Sequence, residues 1–376
     1  MKEIHTAHQG FELYGSDRVF IRTLQALRAE WPEARITASI PAEGALANTL
    51  RADGYEVTID SLWVLRRSLG MHLPLQLLKL PLAMFRAWKR GRDADLVYIS
   101  TTVILDHMLV APLWRGGVII HAHELPTGVT ATILSGLLRW SRAALVFISK
   151  ATEDAYDLTQ GTVSQVIHNG HEGPKQAQRA IPSDGPLRVL MIGRINDWKG
   201  QDLLVEAVAL LSQADRERIQ VRVVGDTFGG PTSKDALLAL IAARGLDDRI
   251  TVEGFLDDPS SAYEWSDVVV APSRNPEPFG LIAIEAMSWF RPVVAAGHGG
   301  LIEIVEDGRT GRLFTPNDPT SLAQALRAYV VNGQSVIDHG GAGRSRYERA
   351  FTAEAYARGF VAFARKVVDR KMRGSR

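Results

Sequence analysis

The sequence predicts an α/β protein built from two doubly wound, Rossmann-like domains facing across a cleft. Three observations carry this. The chain has 376 residues, room for two domains of ordinary size. Short β-branched runs alternate with longer amphipathic ones along most of it, the pattern of parallel strands joined by crossover helices. The alternation breaks once, between 173 and 186, where a polar stretch with three prolines shows no periodicity.

In the first half, strands are expected at 4–8, 36–40, 56–59, 96–100, 118–122, 145–149 and 165–167. Helices fall between them, at 16–30 and 104–111 for example. Residues 1–172 are thus an N-terminal domain, and 173–186 a linker. The alternation restarts with strands at 187–192, 220–224, 250–253, 268–271, 292–295 and 312–314. Helices at 200–211, 233–243, 279–289 and 320–331 complete a second domain over 187–352. Residues 353–372 read as one long helix, returning to the N-terminal domain and ending in a basic tail at 376.

The composition, 46% apolar and 23% charged, is that of a globular protein. A net charge of +1 gives no reason to expect nucleic acid as a partner. Without cysteine there is no disulfide, thiolate nucleophile or cysteine-bound metal. The N-terminus lacks the apolar run of a signal peptide, and no stretch of about 20 apolar residues is present. The leucine-rich stretch 73–84 is short and broken by Pro74 and Pro81. The expectation is a cytoplasmic protein.

The first segment with readable chemistry is Gly193-Arg194-Ile195-Asn196-Asp197-Trp198-Lys199-Gly200, between a strand and a helix. Free N–H groups at a helix start favour anions, and Arg194 and Lys199 add charge suited to a diphosphate. The plainer reading is a loop with two solvated cations. The six-residue glycine fingerprint of dinucleotide binding is absent, which argues against a dehydrogenase.

The second runs from Asn275 to Asp318. Glu277 precedes a helix and Glu285 lies within it. Were all eight steps helical, they would span about 12 Å. Carboxylates so placed suit hydroxyls at the two ends of one ligand, with a phosphate at the helix start between them. The plainer reading is acidic residues complementing a helix dipole. Gly297-His298-Gly299-Gly300 then forms another strand–glycine–helix junction, either a backbone cradle or a plain turn.

Together, Arg194…Lys199-Gly200, Glu277-Pro278-Phe279-Gly280…Glu285-Ala286-Met287 and Gly299-Gly300…Glu303-Ile304-Val305…Asp307-Gly308…Thr310-Gly311 resemble the retaining glycosyltransferases of family four. The likeness is close from about 187 to 318 and loose before it. It implies the GT-B fold, with a nucleoside-diphosphate sugar as donor and no metal or other cofactor. Glu277 would touch the transferred sugar and Glu285 the ribose. Arg194 and Lys199 would hold the diphosphate, with backbone at Phe279, Gly280 and Leu281 along it. Gly254 and Phe255 would lie near the base.

In the first half the family has paired glycines where this chain has Gly15-Ser16. Their N–H groups are candidates for the diphosphate, and Ser16 is equally a candidate helix cap. His123-Glu124 matches the family's histidine followed by an acid, which makes His123 a candidate contact to the sugar. His8, His107 and His168 read as structural. Asp93-Ala94-Asp95 precedes a strand and reads as a solvated turn.

Between 61 and 92 there are seven cations and no acid: Arg66, Arg67, Lys79, Arg86, Lys89, Arg90 and Arg92. Trp63, Phe85, Trp88 and many leucines are interleaved. This suits an anionic membrane surface, with the three aromatics at headgroup level, or else a basic helix pair packed on the sheet.

The implied activity is metal-independent transfer of a sugar to an acceptor hydroxyl with retention, in polysaccharide or lipid-linked glycan assembly. The acceptor would be a glycan or a lipid-linked glycan. Two alternatives stay open: a nucleotide-sugar epimerase of the same fold, and a catalytically silent nucleotide-sugar-binding subunit.

Overall fold

A computed structural model describes residues 1–65, 77–178, 185–227 and 232–374. Arg66 and Arg67 of the basic stretch, and the middle of the 173–186 segment, lie outside them. The chain divides into two compact units, Met1–Gly170 with Ala353–Arg376, and His171–Thr352.

The first unit is a seven-stranded parallel sheet. Its strands are β1 (Glu3–Ala7), β2 (Arg35–Ile40), β3 (Glu56–Ile59), β4 (Leu96–Ile99), β5 (Gly117–Ala122), β6 (Ala144–Phe147) and β7 (Ser164–Val166). Their order is β3-β2-β1-β4-β5-β6-β7. Helices α1 (Gly15–Glu30), α2 (Ala45–Ala52), α3 (Leu80–Gly91), α4 (Leu105–Val110), α5 (Gly128–Ser141) and α6 (Lys150–Asp154) connect them. β4, β5 and β6 are buried at every position. That is why they read as unbroken apolar runs rather than alternating ones.

The C-terminal helix, Ala353–Gly374, returns to this unit. Tyr356, Phe360, Phe363 and Ala364 recur at helical spacing and enter one core cluster with Phe20, Leu24, Leu27 and Tyr98. The expected strand at 145–149 ends earlier, at Phe147, because Ser149 caps α6 by accepting the Thr152 N–H.

The second unit is a six-stranded parallel sheet of β8 (Leu187–Ile192), β9 (Ile219–Val224), β10 (Ile250–Glu253), β11 (Val268–Ala271), β12 (Val293–Ala296) and β13 (Gly311–Phe314). Its helices are α7 (Gln201–Ala209), α8 (Gln213–Arg216), α9 (Thr232–Ala243), α10 (Ser260–Trp265), α11 (Leu281–Ser288), α12 (Leu301–Ile304), α13 (Pro319–Val331) and α14 (Gln334–Ala350). The order β10-β9-β8-β11-β12-β13 makes β8 and β11 the neighbours at which the winding direction reverses. In open parallel sheets the crevice at the carboxyl ends of such a pair is where ligands bind. In the first unit that pair is β1 and β4.

Candidate functional site

Loops after β8, β11 and β12, three adjacent strands, build the candidate site of the second unit. The first is residues 193–200. Asn196 Oδ1 accepts the backbone N–H groups of Trp198 at 3.1 Å and Lys199 at 3.0 Å, folding the loop back on itself. Gly200 then starts α7 with φ +79°, and a β-carbon there would fall 2.1 Å from the Pro272 carbonyl. Only glycine meets both demands. Across the reversal point, Arg274 N–H donates to Trp198 O at 2.8 Å and Trp198 Nε1 donates to Asn275 O at 3.2 Å.

These contacts bring Lys199 to Glu277. Lys199 Nζ lies 2.6 Å from Glu277 Oε1, with both side chains mostly buried. The Ser273 hydroxyl donates to the same oxygen. Burial is the largest influence on Glu277 and pushes its carboxyl up. Lys199, Ser273 and the nearby His298 outweigh it, so the group ends below the ordinary carboxylate range. Among the described residues no donor reaches Glu277 Oε2. The Lys199 ammonium has three protons, and Glu277 uses one.

Glu285 lies on α11. Its Oε2 accepts the Tyr263 hydroxyl at 2.9 Å, and its Oε1 lies 4.0 Å from His171 Nδ1. Tyr263 is buried and stacked parallel to Trp289. Burial, reinforced by Glu285, pushes its hydroxyl well above the ordinary tyrosine range, so it stays a proton donor. α11 begins at Leu281, two residues later than the sequence suggests, because Gly280 takes φ +112°. Phe279 is buried, its ring edge-on to Phe351. What it leaves for a ligand is backbone beside the helix start, together with Gly280 and Leu281.

The Gly297–Gly300 loop is a buttress for the Glu277 loop, which neither sequence reading of it anticipates. Gly300 N–H donates to Glu277 O at 2.8 Å. A β-carbon on Gly299 would fall 2.5 Å from Glu277 O, and one on Gly300 2.6 Å from Phe279 Cα. His298 Nε2 lies 2.9 Å from the Ser273 carbonyl, so that nitrogen carries a proton. Arg194 is exposed, and its carbonyl accepts from Gln201 Nε2 at 2.9 Å. Gly254 and Phe255 follow β10, and the Phe255 ring is 60% exposed, an open aromatic face at a strand's carboxyl end.

The other candidates belong to the first unit. Gly15 and Ser16 are the first two residues of α1, so their N–H groups have no acceptor in the preceding turn. The N-cap is Tyr14, which removes Ser16 from that role. Asp17 supplies the closure by accepting the Tyr14 N–H at 2.9 Å through Oδ2. His123 follows β5, and its Nε2 is buried with no partner. Burial, with a further push from His8, lowers its imidazole to about 3, so it is neutral. Glu124 turns the other way: its carboxylate accepts from the Thr101 hydroxyl, from Thr102 N–H at 3.1 Å and Oγ1 at 2.9 Å, and from its own neighbour's His123 N–H at 3.1 Å. It staples the loop after β4.

His8, read as structural from sequence, stands at the carboxyl end of β1 against Asp17, at 2.6 Å. Its place at a strand end before a glycine-containing loop was the available signal. Asp95 accepts the N–H groups of Lys2 and Glu3, so the Asp93–Asp95 turn pins the start of β1.

A family model described as glycosyl transferases group 1 matches residues 186–332. The D-inositol 3-phosphate glycosyltransferase of Thermomonospora curvata is 40% identical over 162 residues, 41% of this chain and 37% of that protein. The Geodermatophilus obscurus protein of that name is 38% identical over 180 residues, 46% of this chain and 39% of its own. These matches therefore span well under half of either relative's length. The Streptomyces avermitilis protein of that name is 30% identical over 341 residues, covering 78% of this chain and 72% of that protein. The chain belongs to the group 1 glycosyltransferases, family four. Among solved structures, Anabaena HepE in complex with UDP and glucose is similar with a TM-score of 0.78 and 23% identity, over 96% of this chain and 99% of that one. Sucrose-phosphate synthase of Thermosynechococcus elongatus gives 0.74 and 22%, over 98% and 100%. Both likenesses establish the GT-B fold of this family member.

Proposed function

We propose that the protein transfers a sugar from a nucleoside diphosphate to an acceptor hydroxyl, with retention of anomeric configuration. The observation that carries this is the Lys199–Glu277 pair at the winding reversal of the second sheet, beside the start of α11. A cation with protons to spare, a carboxylate with a spare oxygen and free helix N–H groups suit a phosphate next to a polyhydroxylated ring. In this reading Arg194 and Lys199 meet the charge of the leaving diphosphate, so no metal is required. Glu277 Oε2 takes a sugar hydroxyl, Glu285 the ribose, and Phe255 the base. His123 is the neutral contact to the sugar from the first unit. No side chain is cast as nucleophile, and the leaving phosphate helps take the acceptor's proton.

The Anabaena structure, holding UDP and glucose, supports a uridine donor. The relatives named for D-inositol 3-phosphate support transfer rather than epimerisation. The test is a panel of nucleotide sugars with NMR detection of the product anomer. Transfer with retention, unaffected by EDTA, is expected. Loss of activity in EDTA restored by magnesium or manganese would refute metal independence. A changed nucleotide sugar released without any acceptor would make the protein an epimerase.

The acceptor belongs, in this proposal, to polysaccharide or lipid-linked glycan assembly at an anionic membrane surface. The support is α3, whose outward face carries Leu82 and Phe85, 54% and 58% exposed, with Arg86 and Lys89, while Leu78 just before it is 79% exposed. Ala83, Ala87 and Gly91 face inward. Other parts of the basic stretch do not serve. Trp63 is buried, Trp88 packs partly into the core, Arg90 pairs with Asp60 at 3.3 Å, and Arg92 with Asp93 at 2.9 Å. No described helix is long and apolar enough to cross a membrane. Co-sedimentation with anionic vesicles, weakened by salt and by Arg86→Glu with Lys89→Glu, is the expected result, at about 1 kcal/mol per cation at most. Efficient transfer to a soluble acceptor with no vesicle binding would remove the membrane from the reading.

A further inference from the structure

Two imidazoles that follow directly on the carboxyl ends of strands in the first sheet keep buried nitrogens without a partner among the described residues. His8, at the end of β1, is completely buried and stacked on Phe20 with ring centroids 4.6 Å apart. Its Nε2 lies 2.6 Å from Asp17 Oδ1, and its Nδ1 is buried without a partner. His123, after β5, has its Nε2 in the same condition. β1 and β5 flank β4 in the sheet, so the two residues stand on the same carboxyl edge, two strands apart. Buried polar atoms without partners are uncommon in folded proteins, and each calls for a physical cause.

Asp17 decides what His8 offers. A carboxylate only accepts, so the proton between them sits on Nε2, and in the neutral ring Nδ1 is left as a bare acceptor. Asp17 is itself fixed. Its other oxygen holds the Tyr14 N–H at the start of α1, and a β-carbon on Gly10 would fall 1.9 Å from its Oδ1. The strand end, the loop 9–14 and the helix start therefore set one imidazole in one tautomer.

We propose that His8, oriented by Asp17, is a second substrate contact beside His123, accepting a hydrogen bond from a hydroxyl of the sugar or another polyol through Nδ1. The ligand class follows from the chemistry. A hydroxyl both donates and accepts, and so can meet a bare Nδ1 on His8 and the neutral ring of His123, whereas a carboxylate or phosphate has no proton to give Nδ1. This rests on the transfer reading and adds to it a specificity-determining residue in the first unit.

The test uses the full chain with 15N-labelled histidine, UDP-glucose as probe and UDP as control. Long-range proton–nitrogen correlations are expected to show His8 protonated at Nε2. Its Nδ1 resonance should move on addition of UDP-glucose and stay in place with UDP. Asp17→Asn can keep the Tyr14 bond through its carbonyl oxygen and turn its amide protons toward His8, forcing the proton onto Nδ1. That variant should lose tenfold or more in kcat/KM while binding UDP in calorimetry as the wild type does. A His8 Nδ1 signal indifferent to UDP-glucose, under conditions where calorimetry shows it bound, overturns the contact and leaves the donor reading standing. Failure of both UDP and UDP-glucose to bind overturns the uridine donor and the contact together.

Discussion

Lys199 and Glu277 are separated by 78 positions in the chain and 2.6 Å in space, and Lys199 is the largest influence holding the mostly buried Glu277 carboxyl down. The clamp can therefore be tested from either end. Removing Lys199 deletes a charge-assisted contact to phosphate worth about 1.5–3 kcal/mol, roughly 10–150-fold in kcat/KM. It also strands Glu277, whose carboxyl should rise toward and past its ordinary range, so Lys199→Ala should lose activity at a higher pH than the wild type. Arg194→Ala should give the first effect without the second. Near-wild-type kcat/KM in both variants would dispose of the clamp. Glu285 separates from Glu277 by what it holds. Glu285→Gln and Tyr263→Phe should both weaken UDP binding in calorimetry, the second by loosening the carboxylate that Tyr263 steadies. Glu277→Gln should mainly lower turnover. Unchanged UDP affinity in Glu285→Gln would end the ribose assignment.

At the scale of elements, the glycine loop after β12 behaves as a mould for the Glu277 loop. Gly299 has φ +60° and no room beyond its α-carbon. Gly299→Ala combines an unfavourable backbone with a clash against the Glu277 carbonyl, and the backbone alone costs about 1–3 kcal/mol. The expected outcome is a lower Tm together with a large loss of UDP affinity. Gly308, also at positive φ (+70°) but with open space around it, should lower Tm without touching affinity. Equal effects of the two substitutions on UDP binding would mean the mould is not specific. Much of this architecture was legible in the sequence. Most of the thirteen described strands are largely buried runs bounded by turn residues, and all lie within a residue or two of the sequence expectation. α14 was not. Its segment His339-Gly340-Gly341-Ala342-Gly343 looks like a helix breaker. Packing overrides propensity there, because a β-carbon on Gly340 would meet Phe290 O at 2.2 Å and one on Gly343 would press on Met287. The Lys199–Glu277 contact was equally invisible, since the sequence placed both residues at one ligand and gave no sign that they touch.

At the scale of the whole chain, the two units carry different sensitivities to acid. His5, His121 and His123 all belong to the unit of Met1–Gly170 and Ala353–Arg376. Burial holds each of them below the ordinary histidine range, His123 at about 3. His107 and Arg90 push His5 further down against Asp60, and His123 does the same to His121. A histidine depressed in the folded state binds fewer protons there than in the unfolded chain. Its stabilising contribution is complete above the unfolded value of 6.5 and is lost as pH falls toward the folded value. For His123 alone, pH 5 should cost roughly 2 kcal/mol, with His5 and His121 adding in the same direction. Carboxylates such as Glu277, held below their ordinary 4.5, enter only at lower pH, so the window from 6.5 to 5 isolates the histidines. In the second unit His339 is displaced in the same direction but is only partly buried, which limits its weight. Urea midpoints should therefore fall between pH 7.5 and 5. Hydrogen exchange at pH 5 should accelerate first in β1 and β5, ahead of β8 and β11, because the uncharged rings sit within or directly after the former pair. A midpoint that does not move over that range, or exchange that accelerates first in the second sheet, would show that these histidines keep their ordinary proton affinity in the folded chain.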